Sequence, residues 1–368
     1  MPKLPKKFGS IYNTGMSLSK ITEEDIASIA SQNLEWDSFI DASVLISGAN
    51  GFLPAYIVET LLHLNDTRNT NITVLALVRN KEKALKRFEH HAGRPDLQFL
   101  VQDVSDPITI DAKVDFIIHA ASQATPKVYG VDPVGTMLPN IIGTNNLLKL
   151  GKEKSVKGFL FFSSGEVYGG VPEDSFPTKE SYKGHIDPVD VRSCYGESKR
   201  AGETLCVSWC HQFGVPIKIV RLFHTYGPGM DLEDGRVFAD FVADILHDRD
   251  IVMRSDGKQT RAFCYIADAI SGIFTVLLQG KNGEAYNVGW DKETSIVDLA
   301  HMLVGLFPEK KLEVSMQVAN TSPGYVGNKI SRTCPDISKM KALGWEPKIE
   351  VRDGFRRTIV SYTNDSRN

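Results

Sequence analysis

The sequence predicts an α/β protein with a doubly wound parallel sheet. Short apolar runs alternate with helical stretches along the chain, a pattern typical of parallel strands that are covered by helices on both faces. The first apolar run leads through a glycine-bearing turn directly into a helix. A chain of 368 residues is long enough for one large domain or two interleaved ones.

Composition excludes several classes of protein. The formal net charge of -3 provides no basic field for nucleic acid. Neither a signal-like apolar segment nor a run of about 18 apolar residues occurs, so we expect no membrane span and a cytoplasmic location. The cysteines lack metal-ligand spacing, and their odd number indicates reduced thiols. We therefore expect no metal site among Cys194, Cys206, Cys210, Cys264 and Cys334.

Residues 1–40 are predicted to be an N-terminal extension with one helix. Residues 1–7 are basic and contain proline, whereas residues 22–38 have an amphipathic pattern. Thr22 is the expected helix cap, because carboxylates follow it in the first turn. The sequence leaves open whether this helix packs on the body or on a partner subunit.

The first strand, residues 43–47, is followed by a glycine turn and a helix over residues 56–64. Gly48 permits the tight turn and Gly51 lets the backbone approach an anion, while Pro54 replaces the third glycine of such motifs. Free backbone amides at a helix N-terminus favour pyrophosphate. A glycine turn without a ligand is the alternative.

The next two strands should contribute to a dinucleotide site. Residues 72–78 form the second strand, where Asp or Glu commonly follows to bind a ribose; Arg79 stands there instead and leaves NADP open beside NAD. A solvated basic loop is an equal alternative. The third strand, residues 99–104, places Asp103 where it can bind the adenine amino group.

The fourth and fifth predicted strands end in candidate cofactor-binding and catalytic residues. Strand 114–121 ends in the small residues Ala120 and Ala121, followed by Ser122, over which a cofactor can lie. His119 is expected to be a packed structural residue. After a helix over residues 138–150, the strand 158–163 ends in Ser164 and Glu166. Ligands in such sheets bind at the carboxyl ends of strands.

Tyr195 and Lys199 stand four residues apart and therefore share one face of a helix. A phenol beside an ammonium group loses its proton more readily than free tyrosine, so the pair suits removal of a proton from a hydroxyl group. The order of glycine turn, strand-end Ser164 and this pair is improbable by chance. It predicts an enzyme.

The chain resembles the extended short-chain dehydrogenase/reductases of the nucleotide-sugar epimerase/dehydratase superfamily, over residues 43–360. It is most similar to the UDP-glucuronate decarboxylases (UDP-xylose synthases). The matching stretches are His119-Ala-Ala-Ser-Gln-Ala-Thr-Pro, Arg192-Ser-Cys-Tyr-Gly-Glu-Ser-Lys-Arg, Arg221-Leu-Phe-His-Thr-Tyr-Gly-Pro, Asp234-Gly-Arg-Val, Gln259-Thr-Arg-Ala-Phe-Cys-Tyr, Arg332-Thr-Cys-Pro-Asp and Leu343-Gly-Trp-Glu-Pro.

The resemblance implies roles for individual residues. Ser164 would bond the sugar 4-hydroxyl, Tyr195 would take its proton, and Lys199 would lower the tyrosine pKa and hold the nicotinamide ribose; Glu166 completes the catalytic set. The implied cofactor residues are Gly48, Asn50, Gly51, Phe52, Leu53, Arg79, Asp103, Val104, Ala120, Ala121, Ser122, Tyr195 and Lys199. The implied substrate residues are Gln123, Tyr129, Gly165, Arg192, His224, Arg236, Arg261 and Arg332, with Arg261 and Arg332 holding the diphosphate or nucleotide.

The implied activity is decarboxylation of UDP-glucuronate to UDP-xylose with bound NAD, in a homodimer joined through helices near residues 138–151 and 196–212. Gly165, His224 and Arg254 depart from the family pattern, in which Ser, Asn and Tyr are usual. A 4,6-dehydratase using Glu166 as base, a 4-epimerase or C4 oxidoreductase, and a non-catalytic NAD(P) sensor are the alternatives.

Two lobes are expected. A Rossmann-type NAD(P)-binding domain would comprise residues 41–222 and 260–308. A smaller, discontinuous α/β lobe, formed by residues 223–259 and 309–368, would bind the nucleotide-sugar.

Overall fold

Seven parallel strands form the central sheet of the computed structural model, which describes residues 18–317 and 331–364. The described residues contain fourteen strands in all, of which seven belong to this sheet. The fourteen strands are β1 (Ser43–Ser47), β2 (Thr73–Val78), β3 (Leu97–Val101), β4 (Phe116–His119), β5 (Gly158–Ser164), β6 (Ile217–Leu222), β7 (His224–Tyr226), β8 (Ile251–Met253), β9 (Thr260–Arg261), β10 (Phe263–Tyr265), β11 (Ala285–Val288), β12 (Thr294–Ser295), β13 (Val314–Met316) and β14 (Arg332–Thr333). The order in the central sheet is β3-β2-β1-β4-β5-β6-β11. The order reverses between β1 and β4, which places a ligand crevice at their carboxyl ends. The predicted fold class is confirmed.

Helices cover both faces of this sheet. They are α1 (Lys20–Ala30), α2 (Phe52–Arg68), α3 (Lys81–Arg87), α4 (Pro126–Tyr129), α5 (Pro133–Leu138), α6 (Thr144–Glu153), α7 (Cys194–Phe213), α8 (Val237–Leu246), α9 (Ile266–Gln279), α10 (Ile296–Leu306), α11 (Ser338–Lys341) and α12 (Val351–Asn364). Alternate residues of β1 enter different cores: Val44 packs in the core with α2 and α9, whereas Leu45 packs in the core with α6 and α7. None of the helices described is both long and apolar enough to cross a membrane.

Three small sheets lie beside the central one. β7 pairs with β10, β8 pairs with β13, and β9 lies between β12 and β14. Within residues 260–308 only β11 joins the central sheet. The other short strands bring residues distant in the sequence together near the carboxyl end of the sheet.

Two predicted helices differ from the structure. Helix α1 begins at Lys20 with Ser19 as its cap, whose Oγ accepts from the Thr22 amide at 3.2 Å, and ends before Ser38 is reached. The predicted helix 138–150 is interrupted by a π-helical turn at Pro139–Gly143, because proline lacks the amide that a regular turn needs.

The N-terminal segment packs on the body. Ile26, Ile29, Trp36 and Phe39 are buried in the larger core, and the Asp25 carboxylate accepts a hydrogen bond from Tyr265 at 2.7 Å. The basic residues 1–7 lie outside the described residues.

Candidate active site

The glycine turn after β1 forms a cradle against the end of β4. Gly48 has φ +67°, and a Cβ there would lie 2.8 Å from the Ala121 Cα, so only glycine fits this close approach. Gly51 caps α2 without a side chain, with Asn50 before it and Phe52 and Leu53 opening the helix. The backbone amides of the first helical turn can therefore face an anion.

Ser122 supplies an independent test of the cofactor site. Its hydroxyl is buried and has no hydrogen-bond partner among the described residues, although buried polar groups normally have one. It follows Ala120 and Ala121, whose amides both donate to Ser47 Oγ at 3.1 Å. An unsatisfied hydroxyl beside a glycine cradle fits a polar ligand such as a dinucleotide.

Arg79 and Asp103 meet where β2 and β3 end. The guanidinium lies 3.6 Å from the carboxylate, and the Arg79 side chain is 60% exposed. Sequence reasoning treated these residues separately and missed their pairing. Val104 follows and is buried against Gly143.

His119 is a structural residue, as expected. Its Nδ1 lies 2.8 Å from Ser47 Oγ and its Nε2 lies 3.1 Å from the Pro139 carbonyl. Burial lowers its pKa to about 3. The imidazole is therefore neutral and links β1, β4 and the π-helical turn.

The predicted catalytic side chains lie where β5 ends and α7 begins. Tyr195 is buried and hydrogen-bonded to Ser164, whose Oγ also accepts from the Glu166 amide at 3.2 Å. Lys199 Nζ donates to the Phe162 carbonyl at 2.6 Å and lies 5.7 Å from the centre of the Tyr195 ring. The structure thus brings together the four residues that the sequence singled out.

Burial dominates the electrostatics of this group. It raises the pKa of Tyr195 to about 12, against the lowering effect of the Ser164 hydrogen bond and of nearby Arg236 and Arg192. It lowers the pKa of Lys199 to about 7. The expected lowering of the tyrosine pKa is not met in this structure, because desolvation of the phenolate outweighs the favourable charges.

Arg192 lies over the active site. Its guanidinium donates to Glu166 Oε1 at 3.1 Å and lies 4.7 Å above the Tyr129 ring. Tyr129 in turn stacks on Tyr195, with ring centres 5.1 Å apart. Asp190 orients the arginine backbone by accepting from its amide at 2.9 Å.

Packing against Phe223 explains why position 165 is a glycine. A Cβ there would lie 2.9 Å from the Phe223 ring, so this ring takes the space that a larger residue would need. The departure from the family pattern at position 165 therefore coincides with an aromatic wall beside Glu166.

A second group of predicted substrate residues contains His224 of β7, Arg261 of β9 and Arg236, which directly precedes α8. His224 is enclosed near Arg236 and Arg261; burial and these two charges lower its pKa to about 3. Arg236 Nε donates to Asp234 at 2.6 Å. Arg261 is 7% exposed and donates to the Gln259 side chain at 3.0 Å and to the Ser331 carbonyl at 3.2 Å.

Arg332 is separated from Arg261. Arg332 is paired with Thr260 and Arg261 with Thr333 in the register of β9 and β14, so the two arginines lie on opposite faces of this small sheet. Arg332 donates to Glu293 and to Glu173, both at 2.7 Å. Sequence reasoning missed both carboxylates, which come from distant segments.

Gln123 lies farther out and donates to the Gly135 carbonyl at 3.0 Å. This hydrogen bond joins the segment after β4 to α5. None of the hydrogen bonds described for Gln123 reaches another predicted substrate residue.

Comparison with known proteins agrees with this geometry. The model of the NAD dependent epimerase/dehydratase family matches residues 44–289. UDP-glucuronic acid decarboxylase 3 of Arabidopsis thaliana is 37% identical over 313 residues, which are 85% of this chain and 86% of that protein. UDP-glucuronic acid decarboxylase 1 of Xenopus tropicalis is 34% identical over 86% of this chain and 71% of its own length.

Solved structures share the fold. UDP-glucose 4-epimerase of Thermotoga maritima, with UDP-glucose, superposes with a TM-score of 0.76 at 23% identity, covering 88% of this chain and 99% of that one. UDP-glucuronic acid 4-epimerase of Bacillus cereus, in complex with UDP-glucuronic acid and NAD, gives 0.70 at 24% identity with the same coverage.

Proposed function

Because the chain belongs to the NAD-dependent epimerase/dehydratase family, we propose that it decarboxylates UDP-glucuronate to UDP-xylose by transient oxidation at C4 of the sugar. Family membership confirms the predicted NAD-dependent enzyme. When bound, NAD supplies the acceptor and donor of the C4 hydride. Gly48, Gly51 and the N-terminus of α2 would hold its pyrophosphate, and Ser122 would receive the partner that its hydroxyl lacks.

Tyr195 is the proposed base for the C4 hydroxyl. Ser164 is hydrogen-bonded to Tyr195, so both oxygens can hold the same substrate hydroxyl. Lys199 Nζ lies 5.7 Å from the centre of the Tyr195 ring, and its protonated form would supply the positive charge that a tyrosinate needs. Loss of the hydroxyl proton to Tyr195 accompanies formation of the 4-keto sugar, and the proton returns at the end of the cycle.

Carbon dioxide then leaves without a further acid. The 4-ketone makes the C6 carboxylate a β-keto acid, which loses CO2 and leaves an enolate; the enolate then takes up a proton from water at C5. Ser164 and Tyr195 stabilise the developing oxyanion by hydrogen bonds. The Arg192 guanidinium offsets the charge of Glu166, so a substrate carboxylate can enter beside it.

The observation that carries the choice is the pairing of Glu166 with Arg192 next to Gly165. A 4,6-dehydratase needs an acid to expel the 6-hydroxyl as well as a base at C5. Position 165 has no side chain, and its space is limited by Phe223. Beside Glu166 the site therefore contains the Arg192 guanidinium and not the second acid that dehydration would require.

Product mass separates the activities. The protein with NAD is incubated with UDP-, dTDP-, GDP- and CDP-sugars, and loss of CO2 from UDP-glucuronate is expected. Loss of water from a neutral hexose would instead indicate a 4,6-dehydratase, and an unchanged mass with inverted C4 would indicate an epimerase. No reaction with any sugar would contradict an enzymatic role.

We also propose the two-lobe division at residues 41–222 with 260–308, and 223–259 with 309–368. The short strands β8 and β13, which pair with each other outside the central sheet, support it. Limited proteolysis with and without substrate is the corresponding test.

A homodimer is proposed from one exposed apolar face. Val134, Leu138 and Ile142 on the segment from α5 to α6 are 64%, 42% and 43% exposed, and Val207 of α7 is 45% exposed. Light scattering should show a dimer that Val207→Glu dissociates.

The free cysteines support a reducing, cytoplasmic location, which fractionation of the source cells would test.

A further inference from the structure

A second cluster of ionisable side chains lies away from the active site, between α2 and the turn that follows α3. Glu59 of α2 is 6% exposed and lies on a helix whose buried side is otherwise mainly apolar. His90 Nε2 lies 2.9 Å from one of its oxygens, and His91 Nε2 lies 2.6 Å from the other. We call Glu59, His90 and His91 the His-Glu-His cluster.

The backbone presents both imidazoles to the same carboxylate. Residues Glu89–His91 form a 3-10 turn, in which the His91 amide donates to the Phe88 carbonyl at 2.9 Å. Phe88 is 2% exposed and anchors this turn in the core. Because the turn is fixed on one side and α2 on the other, the two rings, with centres 4.2 Å apart, converge without a long mobile loop.

We propose that the His-Glu-His cluster is a binding site for a divalent transition metal, with zinc as the best-suited ion. Two imidazole nitrogens and one carboxylate form a known type of zinc ligand set, which leaves a fourth position for water. All the candidate ligand atoms lie within 4.8 Å of one another. Each imidazole would carry its proton on Nδ1 and offer the Nε2 lone pair to the ion.

An ion between these side chains would require the ligand atoms to move apart. Zinc bonds to nitrogen and oxygen of roughly 2.0–2.2 Å in a tetrahedron place neighbouring ligand atoms about 3.3 Å apart. The nitrogen–oxygen separations, 2.9 Å to one oxygen of Glu59 and 2.6 Å to the other, would lengthen by roughly 0.4–0.7 Å, with one of these oxygens bound to the ion. Both histidine side chains are 14% exposed, which gives the ion and its water a path from solvent.

Charge also favours a cation here. The Glu59 carboxylate is buried, and a buried charge must be paired to be tolerated. Within the described residues, its hydrogen-bond partners are the two histidines. A metal ion would keep the carboxylate ionised and hold α2 to the turn before β3. The sequence analysis considered only cysteines as ligands and missed this cluster, because its members are separated by about one helix–strand–helix unit.

Equilibrium dialysis of the full chain against Zn²⁺, followed by elemental analysis, tests the site. One zinc per chain is expected for the wild type and for the exposed-histidine control His211→Gln. The double variant His90→Gln/His91→Gln, and Glu59→Gln alone, should lose this equivalent. Thermal unfolding should show a zinc-dependent rise in Tm for the wild type and the control only.

Cobalt spectroscopy of the unmutated chain keeps the proposal falsifiable if a variant fails to fold. Co²⁺ should give the visible bands of a four-coordinate nitrogen and oxygen site, without the thiolate charge-transfer band that cysteine ligands would cause. A thiolate band, no bound zinc in the wild type, or undiminished zinc in the folded double variant would overturn the proposal. Such results would leave the cluster a purely hydrogen-bonded contact.

Discussion

The two sides of the candidate active site are built differently. The redox side takes Ser164 from the end of β5 and Tyr195 and Lys199 from α7. The side chains of Tyr195 and Lys199 are buried, and Ser164 is hydrogen-bonded to Tyr195. The cationic side takes Arg261 and Arg332, with the neutral His224 near Arg261, from short strands that distant segments contribute. The first side is positioned by the fold, whereas the second depends on pairing between separate segments.

This difference predicts that the redox side controls turnover. Tyr195→Phe should lower kcat by roughly 10²–10⁴-fold, the usual contribution of a positioned acid–base group, with little change in KM because the ring and its packing on Tyr129 remain. Steady-state kinetics with UDP-glucuronate provide the measurement. Tyr182→Phe removes a hydroxyl that binds the Gly170 carbonyl and should leave kcat unchanged; an equal loss there would refute the assignment.

The cationic side should instead control substrate binding. Arg261→Lys removes the guanidinium fork near His224 and should raise KM by roughly 10–100-fold, since one charged hydrogen bond contributes about 1.5–3 kcal/mol. Arg332→Lys should raise it less, because Arg332 faces Glu293 and Glu173 on the opposite side of the small sheet. Equal effects would show that both arginines reach the diphosphate.

The same contrast explains what the sequence could predict. β1, the glycine turn and the Tyr195–Lys199 helix are local features whose spacing follows from backbone geometry, and the structure has them where the pattern placed them. The predicted end of the first helix at residue 38 and the uninterrupted helix 138–150 were wrong, since the first depends on tertiary packing and the second is broken at a proline within an otherwise helical pattern.

The cationic side was predictable only as a set of residues. Arg332 and Arg261 were expected to act together, but the strand register that separates them joins segments far apart in the sequence. The Phe223 ring beside Gly165 was likewise invisible, because nothing local relates a glycine at one strand end to an aromatic at the next. Neighbouring strand ends meet only after the sheet has formed.

Acid should destabilise the cationic side through His224. Burial holds its pKa at about 3 in the fold, whereas an unfolded histidine has a pKa of about 6.5. The unfolded chain therefore binds more protons between these values, and stability present above pH 6.5 is lost as the pH falls towards 3.

His224→Asn should remove this loss. When the pH is lowered from about 6.5 to about 5, the unfolding free energy of the wild type should fall by up to about 2 kcal/mol more than that of the variant. Urea unfolding at several pH values measures the difference, with the exposed His211→Asn as the matched control. Parallel pH profiles for the wild type and His224→Asn would show that this histidine is not held neutral by its surroundings.

The smallest effect is expected at Arg79, at the far end of the cofactor cradle. The Arg79 side chain is 60% exposed and lies 3.6 Å from the Asp103 carboxylate, so its charge is screened and partly offset. Arg79→Ala should weaken NADP binding by only about 3- to 5-fold, in keeping with an exposed ion pair, and should leave NAD binding nearly unchanged. Calorimetric titration of both dinucleotides tests this, with Lys81→Ala as a control for the general basic character of the loop. Equal weakening of NAD binding and NADP binding would mean that Arg79 acts by orienting Asp103. The preference for one dinucleotide would then be set by the Arg79–Asp103 pair at the ends of β2 and β3 rather than by the Arg79 guanidinium alone.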